Sequence, residues 1–307
     1  MPRLQAHDHQ DKGDEDVESI ASVLTTLQLN KGLPAVAKPP WQDALAAEFG
    51  VMSMQVKLGV YLKTRDERRA RSWRERASKL LLSLNYQSDL QPQAVTEQHL
   101  LWGKEMRRRL GPATPRSAFN NSKAPDRVLR VGYISPDLKS HVVSMFLRGP
   151  VRDHDRSKIH VTCYSTTHLF NTDNVTEFFR TQANVFRDVS TLEADAILSL
   201  VKDDEIDILV ELAGHTSGVE SRLDVMAMRA APIQVSWIGY PNTTGLDSID
   251  YRITDGAADA EDTRQFFPEK LVRLPHTFLT FDDLPLGRDS LGVTSPTQGY
   301  IYIYIVG

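Results

Sequence analysis

The sequence predicts an α/β fold: a parallel sheet covered on both faces, preceded by a helical segment. Three observations predict it. Strand-like and helix-like segments alternate from residue 128 to about residue 255, as they do in βαβ units. The strand-like segments are continuous in Leu, Val and Ile, which suits strands buried on two sides. Residues 111–126, rich in Pro, Ser, Asn and Ala, separate that alternation from a purely helical pattern upstream and read as a linker.

Taken in order, residues 1–40 are polar and charged and close on a Lys-Pro-Pro turn. They are expected to be a disordered tail, with at most a short helix near Val17–Leu29. From Trp41 to about Leu110 the apolar spacing is helical. Asp66 to Arg76, dense in Arg and Glu, reads as a solvated helix face with i,i+4 pairs, or as a basic contact surface. Leu80-Leu-Leu-Ser-Leu-Asn-Tyr closes that helix, and Gln91-Pro-Gln-Ala opens another reaching about Arg109. Strands are then expected at Val128–Ile134, Lys158–Ser165, Asn184–Val189, Ile206–Leu212, Pro232–Ile238 and Ile249–Thr254. Helices are expected at His141 to about Val151, Thr172–Ala183, Thr191–Asp203 and Arg222–Arg229. The expected organisation is a tail (1–40), a helical segment and linker (41–125), a main lobe (126–290) and a short tail (291–307).

Composition narrows the function. With 41% hydrophobic and 25% charged residues the chain has an ordinary globular balance. A formal net charge of −4 gives no global argument for nucleic acid or for an anionic membrane, so neither is expected as a partner. The single cysteine, Cys163, excludes a disulfide framework within the chain and a multi-cysteine metal site; it sits in an apolar strand and reads as core. No apolar run approaches the ~20 residues of a membrane span, and the first residues do not resemble a signal peptide, so a cytoplasmic or nuclear protein is expected. No metal and no cofactor are expected: there is no Walker loop, no G-x-G-x-x-G after a strand and no H-E-x-x-H.

Open parallel sheets bind ligands beyond the C-terminal ends of their strands, so the residues after each strand are the informative ones. After the first strand comes Ser135-Pro-Asp-Leu-Lys-Ser-His141, entering a helix. Asp137 and His141 at such a junction can combine a proton acceptor with helix N-terminal donors. They can equally be a helix cap and a surface histidine. After the fourth strand, Gly214 and Gly218 bracket His215 and Thr216. After the fifth comes Gly239-Tyr-Pro-Asn-Thr-Thr-Gly245, either a polar ligand loop or a Pro-Asn turn. Asp255 reads as a turn residue and His276 as a structural one.

Together these motifs resemble the O-linked N-acetylglucosamine transferase family. The resemblance rests on Arg130-Val-Gly-Tyr-Ile-Ser-Pro-Asp-Leu with His141, on Ile206-Asp-Ile-Leu-Val-Glu-Leu-Ala-Gly-His-Thr, and on Arg229-Ala-Ala-Pro-Ile-Gln-Val-Ser-Trp-Ile-Gly-Tyr-Pro-Asn-Thr-Thr-Gly. Ile249-Asp-Tyr-Arg-Ile-Thr-Asp255 and Glu269-Lys-Leu-Val-Arg-Leu-Pro follow in the same order, so it covers roughly residues 75–285. It implies the Rossmann-like N-terminal catalytic lobe of a two-lobed GT-B glycosyltransferase. Such enzymes move N-acetylglucosamine from UDP-GlcNAc to Ser or Thr hydroxyls of proteins, with inversion and without a required metal. By that resemblance His141 is the active-site histidine. Asp137, His215, Thr216, Tyr240, Pro241, Thr243, Thr244 and Gly245 would bind substrate in the same cleft. The residues that grip the nucleotide belong to a second lobe in this family. The sequence instead runs into Gly299-Tyr-Ile-Tyr-Ile-Tyr-Ile-Val-Gly, so a truncated lobe, inactive alone, is expected. A Spindly-like protein O-fucosyltransferase using GDP-fucose and a non-catalytic binding remnant are the alternatives.

Overall fold

The computed structural model describes residues 67–87 and 90–281. The expected tail of residues 1–40, the helical pattern of residues 41–66 and the final Ile/Tyr run lie outside the described residues. Two helices come first, α1 (Glu67–Leu84) and α2 (Pro92–Leu110). Pro92 opens α2 at a position where its missing N–H is no loss. Gly111, at φ +83°, closes it by donating its N–H to Arg107 O, and Arg107, Arg108 and Arg109 place positive charge at the C-terminal end of the helix dipole.

The alternating region follows as β1 (Leu129–Ser135), α3 (Val142–Asp153), β2 (Ile159–Ser165), α4 (Asn174–Gln182), β3 (Val185–Asp188), α5 (Ala194–Asp203), β4 (Ile208–Glu211), α6 (Leu223–Met228), β5 (Ile233–Ser236), β6 (Tyr251–Asp255) and β7 (Lys270–Leu274). Each strand and helix expected between residues 128 and 255 is present. The seven strands form one parallel sheet in the order β3-β2-β1-β4-β5-β6-β7. The seventh strand was not expected from sequence. Its Lys270 and Arg273 break the apolar run, because it lies at the sheet edge and is only partly covered.

All four residues of β4 are buried, and so are the last five of β1 and of β2. Burial of successive residues requires cover on both faces, since side chains alternate across a strand. On one face Val131, Tyr133, Val161, Cys163, Val210 and Val235 join Val143, Leu147 and Val151 of α3 in a single core. Cys163 is fully buried, as the sequence suggested.

The linker at 111–126 is irregular but anchored. Asn121 Nδ2 donates to Asp207 Oδ1 at 2.7 Å, and Arg127 reaches both oxygens of Asp207 at 2.6 Å. Asp207 also accepts the Arg130 N–H at 2.8 Å, which ties the linker to the start of β1. Strand order reverses between β1 and β4, and there open α/β sheets form a crevice beyond their strand ends.

Candidate active site

The loops after β1, β2 and β4 meet at this reversal point. Ser135 O accepts the Thr166 N–H at 3.0 Å, and Pro136 O accepts from Thr167 Oγ1 at 2.8 Å. Thr166 Oγ1 donates to Glu220 O at 2.7 Å, joining the β2 loop to the segment after β4. Asp173 caps α4 and also accepts the Ser140 N–H at 2.7 Å. The β1 loop is thus held from both sides.

His141 is the N-cap of α3, in extended backbone at φ −155°. Its side chain is 41% exposed, and its Nδ1 accepts the Val143 N–H at 3.3 Å. Asp137 Oδ1 lies 3.6 Å from the same Nδ1, on a side chain only 7% exposed. Burial raises the Asp137 carboxyl above the usual range; His141 and Lys139 pull it down, and Glu220 pushes it up. A buried carboxyl beside a half-exposed imidazole at a helix N-terminus can hold, orient and move a proton. Thr216 is exposed on the β4 loop, where its Oγ1 donates to Ala213 O at 2.7 Å.

The loops after β4 and β5 are covered by α1 and α2. His215 Nε2 donates to Thr244 O at 2.9 Å, so its Nδ1 accepts from Ser78 Oγ at 3.1 Å. His99 Nδ1 donates to Val95 O at 2.7 Å, and its Nε2 accepts the Tyr240 hydroxyl at 2.6 Å. Tyr240 in turn accepts from Asn85 Nδ2 at 3.0 Å. Both histidines are neutral donor–acceptor relays in a buried seam: burial lowers His99 to about 4, and burial with the neighbouring His99 lowers His215 to about 3. The Trp102 ring packs edge-on against His215, 4.5 Å between centroids. Thr243 Oγ1 and Thr244 Oγ1 both donate to the buried Glu269 carboxylate, at 2.7 Å and 2.8 Å. Gly245, at φ +78°, lies so close to α2 that a Cβ on it would sit 2.1 Å from His99 O. A Cβ on Gly103 would sit 1.8 Å from Gly245 O.

Comparison with known proteins agrees with this architecture. The family model described as Glycosyl transferase family 41 matches residues 110–286, more than half of the chain. The chain belongs to glycosyl transferase family 41. It is 42% identical over 225 residues to the Arabidopsis thaliana protein named as the probable UDP-N-acetylglucosamine–peptide N-acetylglucosaminyltransferase SPINDLY, covering 72% of this chain and 24% of that one. A Caenorhabditis elegans protein named UDP-N-acetylglucosamine–peptide N-acetylglucosaminyltransferase is 36% identical over 161 residues, covering 52% of this chain and 14% of that one. Among solved structures, a mutant (K341M) of the Thermobaculum terrenum O-GlcNAc transferase matches with a TM-score of 0.62 and 32% identity, over 74% of this chain and 42% of that chain. The chain spans about a quarter of the length of the SPINDLY relatives it matches. The seven-stranded lobe has the Rossmann-like parallel architecture of a GT-B family 41 protein.

In this family 41 lobe the predicted site residues divide in two. Asp137 and His141 lie together at the reversal point, and Thr216 and Pro241 are exposed on strand-end loops. His215, Tyr240, Thr243 and Thr244 do not line an open cleft with His141: each is at most 1% exposed and bonded inside the protein. Gly245 is likewise buried, and the backbone that approaches it closely is α2, not a ligand. The physical reason is the helical segment, which occupies the space above β4 and β5. Asp255 serves the turn expected of it, accepting the N–H groups of Ala257, Ala258 and Phe278. His276, read as structural, is exposed after β7. Sequence reasoning did not single out Thr166, Thr167 and Glu220 on the rim, nor Ser78, His99, Gly103 and Glu269 in the seam. Of these only Gly103 carried a signal: a glycine inside a helix costs about 1 kcal/mol and implies a close approach.

Proposed function

We propose that this lobe serves a glycosyltransferase that moves N-acetylglucosamine from UDP-GlcNAc to Ser or Thr hydroxyls of proteins. The observation that carries the reading is the Asp137–His141 pair at the sheet's reversal point, in a chain of family 41 whose relatives bear that activity in their names. A protein hydroxyl is a weak nucleophile near neutral pH and needs a placed proton acceptor. The half-exposed imidazole of His141 supplies one. The hydroxyl oxygen bonds to the anomeric carbon as the bond from that carbon to the UDP oxygen breaks. The electron pair leaves with UDP and the hydroxyl proton passes to His141, with inversion at carbon. The β- and α-phosphates and the base are assigned to a second lobe, so that transfer requires both. Val142, 54% exposed, and Phe170, 91% exposed, flank the β1 and β2 loops and offer apolar contact to the acceptor polypeptide beside its hydroxyl.

The test is mass spectrometry of an acceptor protein after incubation with UDP-GlcNAc or GDP-fucose. The enzyme is this chain or, in parallel, the Arabidopsis SPINDLY relative carrying residues 110–286 in place of its own matching region. The reading expects an N-acetylhexosamine mass increment from the chimera with UDP-GlcNAc. A deoxyhexose increment with GDP-fucose alone shows that this lobe supports the Spindly-like fucosyl transfer instead, with the donor chosen by the relative's second lobe. Binding of acceptor without transfer from either donor leaves the lobe a binding module.

A further inference from the structure

We propose that Asp137 is a positioning residue: it holds the His141 imidazole in the tautomer that carries its proton on Nδ1, leaving Nε2 as the proton acceptor. The use of Nε2 rests on the glycosyl-transfer reading; the Asp137–His141 coupling does not.

Two groups compete for His141 Nδ1. The Val143 N–H, at 3.3 Å, asks Nδ1 to accept, which puts the ring proton on Nε2 and presents a donor to the acceptor hydroxyl. Asp137 Oδ1, at 3.6 Å, asks Nδ1 to donate, which frees the Nε2 lone pair. The helix cap is a long bond between neutral groups. The other interaction becomes charge-assisted once the ring moves a few tenths of an ångström. No donor on the other oxygen competes with His141 for the Asp137 carboxylate, which leaves Oδ1, the oxygen facing the ring, as the one to draw a proton. Asp137 Oδ2 is buried with no hydrogen-bond partner among the described residues, and a buried polar atom left so is costly. The Asp137 backbone is pinned at both ends, which fixes the Cα from which the carboxyl reaches the ring. Its N–H donates to Ser135 Oγ at 3.0 Å, and its carbonyl accepts the Ser144 hydroxyl.

The charged neighbours act in both directions. Lys139 and the imidazole itself favour the Asp137 carboxylate, whereas burial and Glu220 oppose it. Asp173, on the β2 side, is occupied with Ser140, Val175 and Thr176 backbone donors. When the acceptor's proton arrives on Nε2, the resulting imidazolium donates from Nδ1 to Asp137 and the pair's net charge falls to zero. The proton then leaves from the exposed ring edge to water.

The experiment is nitrogen-15 imidazole spectroscopy of the full 307-residue chain, with His141→Gln used to assign the His141 signals. The expected parent spectrum shows the Nδ1–H form in excess. Asp137→Asn should shift the population toward Nε2–H and lower the imidazole titration midpoint; Asp137→Ser gives the same reading should the Asn variant not fold. A parent that is already Nε2–H, or an Asp137 variant with unchanged tautomer and midpoint, overturns the proposal. In the transferring chimera, Asp137→Asn should lower kcat by about 10²-fold with KM within about 2-fold, and move the acid limb of the kcat profile to lower pH. A rise in KM with an unmoved acid limb would instead make Asp137 a substrate ligand. Should the parent chimera transfer no sugar, the glycosyl-transfer reading fails while the spectra still decide the coupling.

Discussion

Replacing Gly103 by Ala should unfold the seam between α2 and the sheet, and the size of the loss can be worked from the backbone. Gly103 is helical, so Ala brings a propensity gain of about 1 kcal/mol if nothing stands in the way. Something does: the new Cβ would lie 1.8 Å from Gly245 O and 2.8 Å from Gly245 C. An ordinary carbon–oxygen contact is about 3.3 Å, so α2 must withdraw by roughly 1.5 Å. That displacement breaks the His99–Tyr240 bond of 2.6 Å and the Thr96–Phe266 bond of 3.1 Å, and it loosens Trp102 from His215. Two bonds in and beside the seam, lost at about 1–3 kcal/mol each, less the propensity gain, give a net loss of about 1–5 kcal/mol. Gly149 in α3 is the internal control, because a Cβ there meets nothing within 4 Å. Gly149→Ala should therefore be close to neutral, its helix-propensity gain offset by the crowding of the new Cβ against the following Pro150. Urea unfolding of the three chains measures both numbers. If the two Ala variants fall within about 0.5 kcal/mol of each other, the close approach of α2 to Gly245 is refuted.

Further outcomes follow from other parts of the molecule. His99 and His215 titrate near 4 and 3 in the folded chain, below the ordinary 6.5, so the unfolded chain takes up protons first as pH falls. Stability is then full above about pH 6.5 and drops by about 2 kcal/mol per histidine between pH 6.5 and 5. The raised carboxyl of Glu211 works in the opposite direction, adding stability as pH falls through its folded value, which lies above the ordinary 4.5; a urea midpoint unchanged from pH 7.5 to 5 in Glu211→Gln as well as in the parent would contradict the neutral-relay seam. Asp207, whose carboxyl is held low against burial chiefly by Arg127, loses that stabilisation as pH falls through its folded value. Asp207→Asn should accordingly cost about 2 kcal/mol at pH 7, with the gap from the parent closing toward pH 3, as seen in parallel thermal melts. Phe170→Ser should raise KM for a protein acceptor several-fold and leave kcat unchanged in the chimera; an unchanged KM removes Phe170 from the acceptor path.

Much of the fold was legible because its signals are local. Strands such as Ile208–Glu211 are apolar without a break, and the helices between them carry caps such as Asp173. β7 was missed because an edge strand tolerates Lys270 and Arg273, which remove the pattern. The site was half legible for a related reason. Asp137 and His141 are four residues apart on one loop, so their proximity is written in the spacing. His99 and Tyr240 are 141 residues apart, and no local pattern tells whether a polar strand-end loop faces a ligand or a helix. His, Tyr and Thr satisfy buried backbone and carboxylate groups as readily as they bind a sugar.

His141 is the proton acceptor at the rim, and the seam residues serve the fold. The direct measurement is the turnover rate for N-acetylglucosamine transfer to a protein acceptor by the chimera, for the parent, for His141→Ala and for Thr243→Val. A loss of about 10²-fold or more is expected for His141→Ala, and a change within about 3-fold for Thr243→Val once both are checked to be folded. Parent-like turnover by His141→Ala would contradict that role for His141.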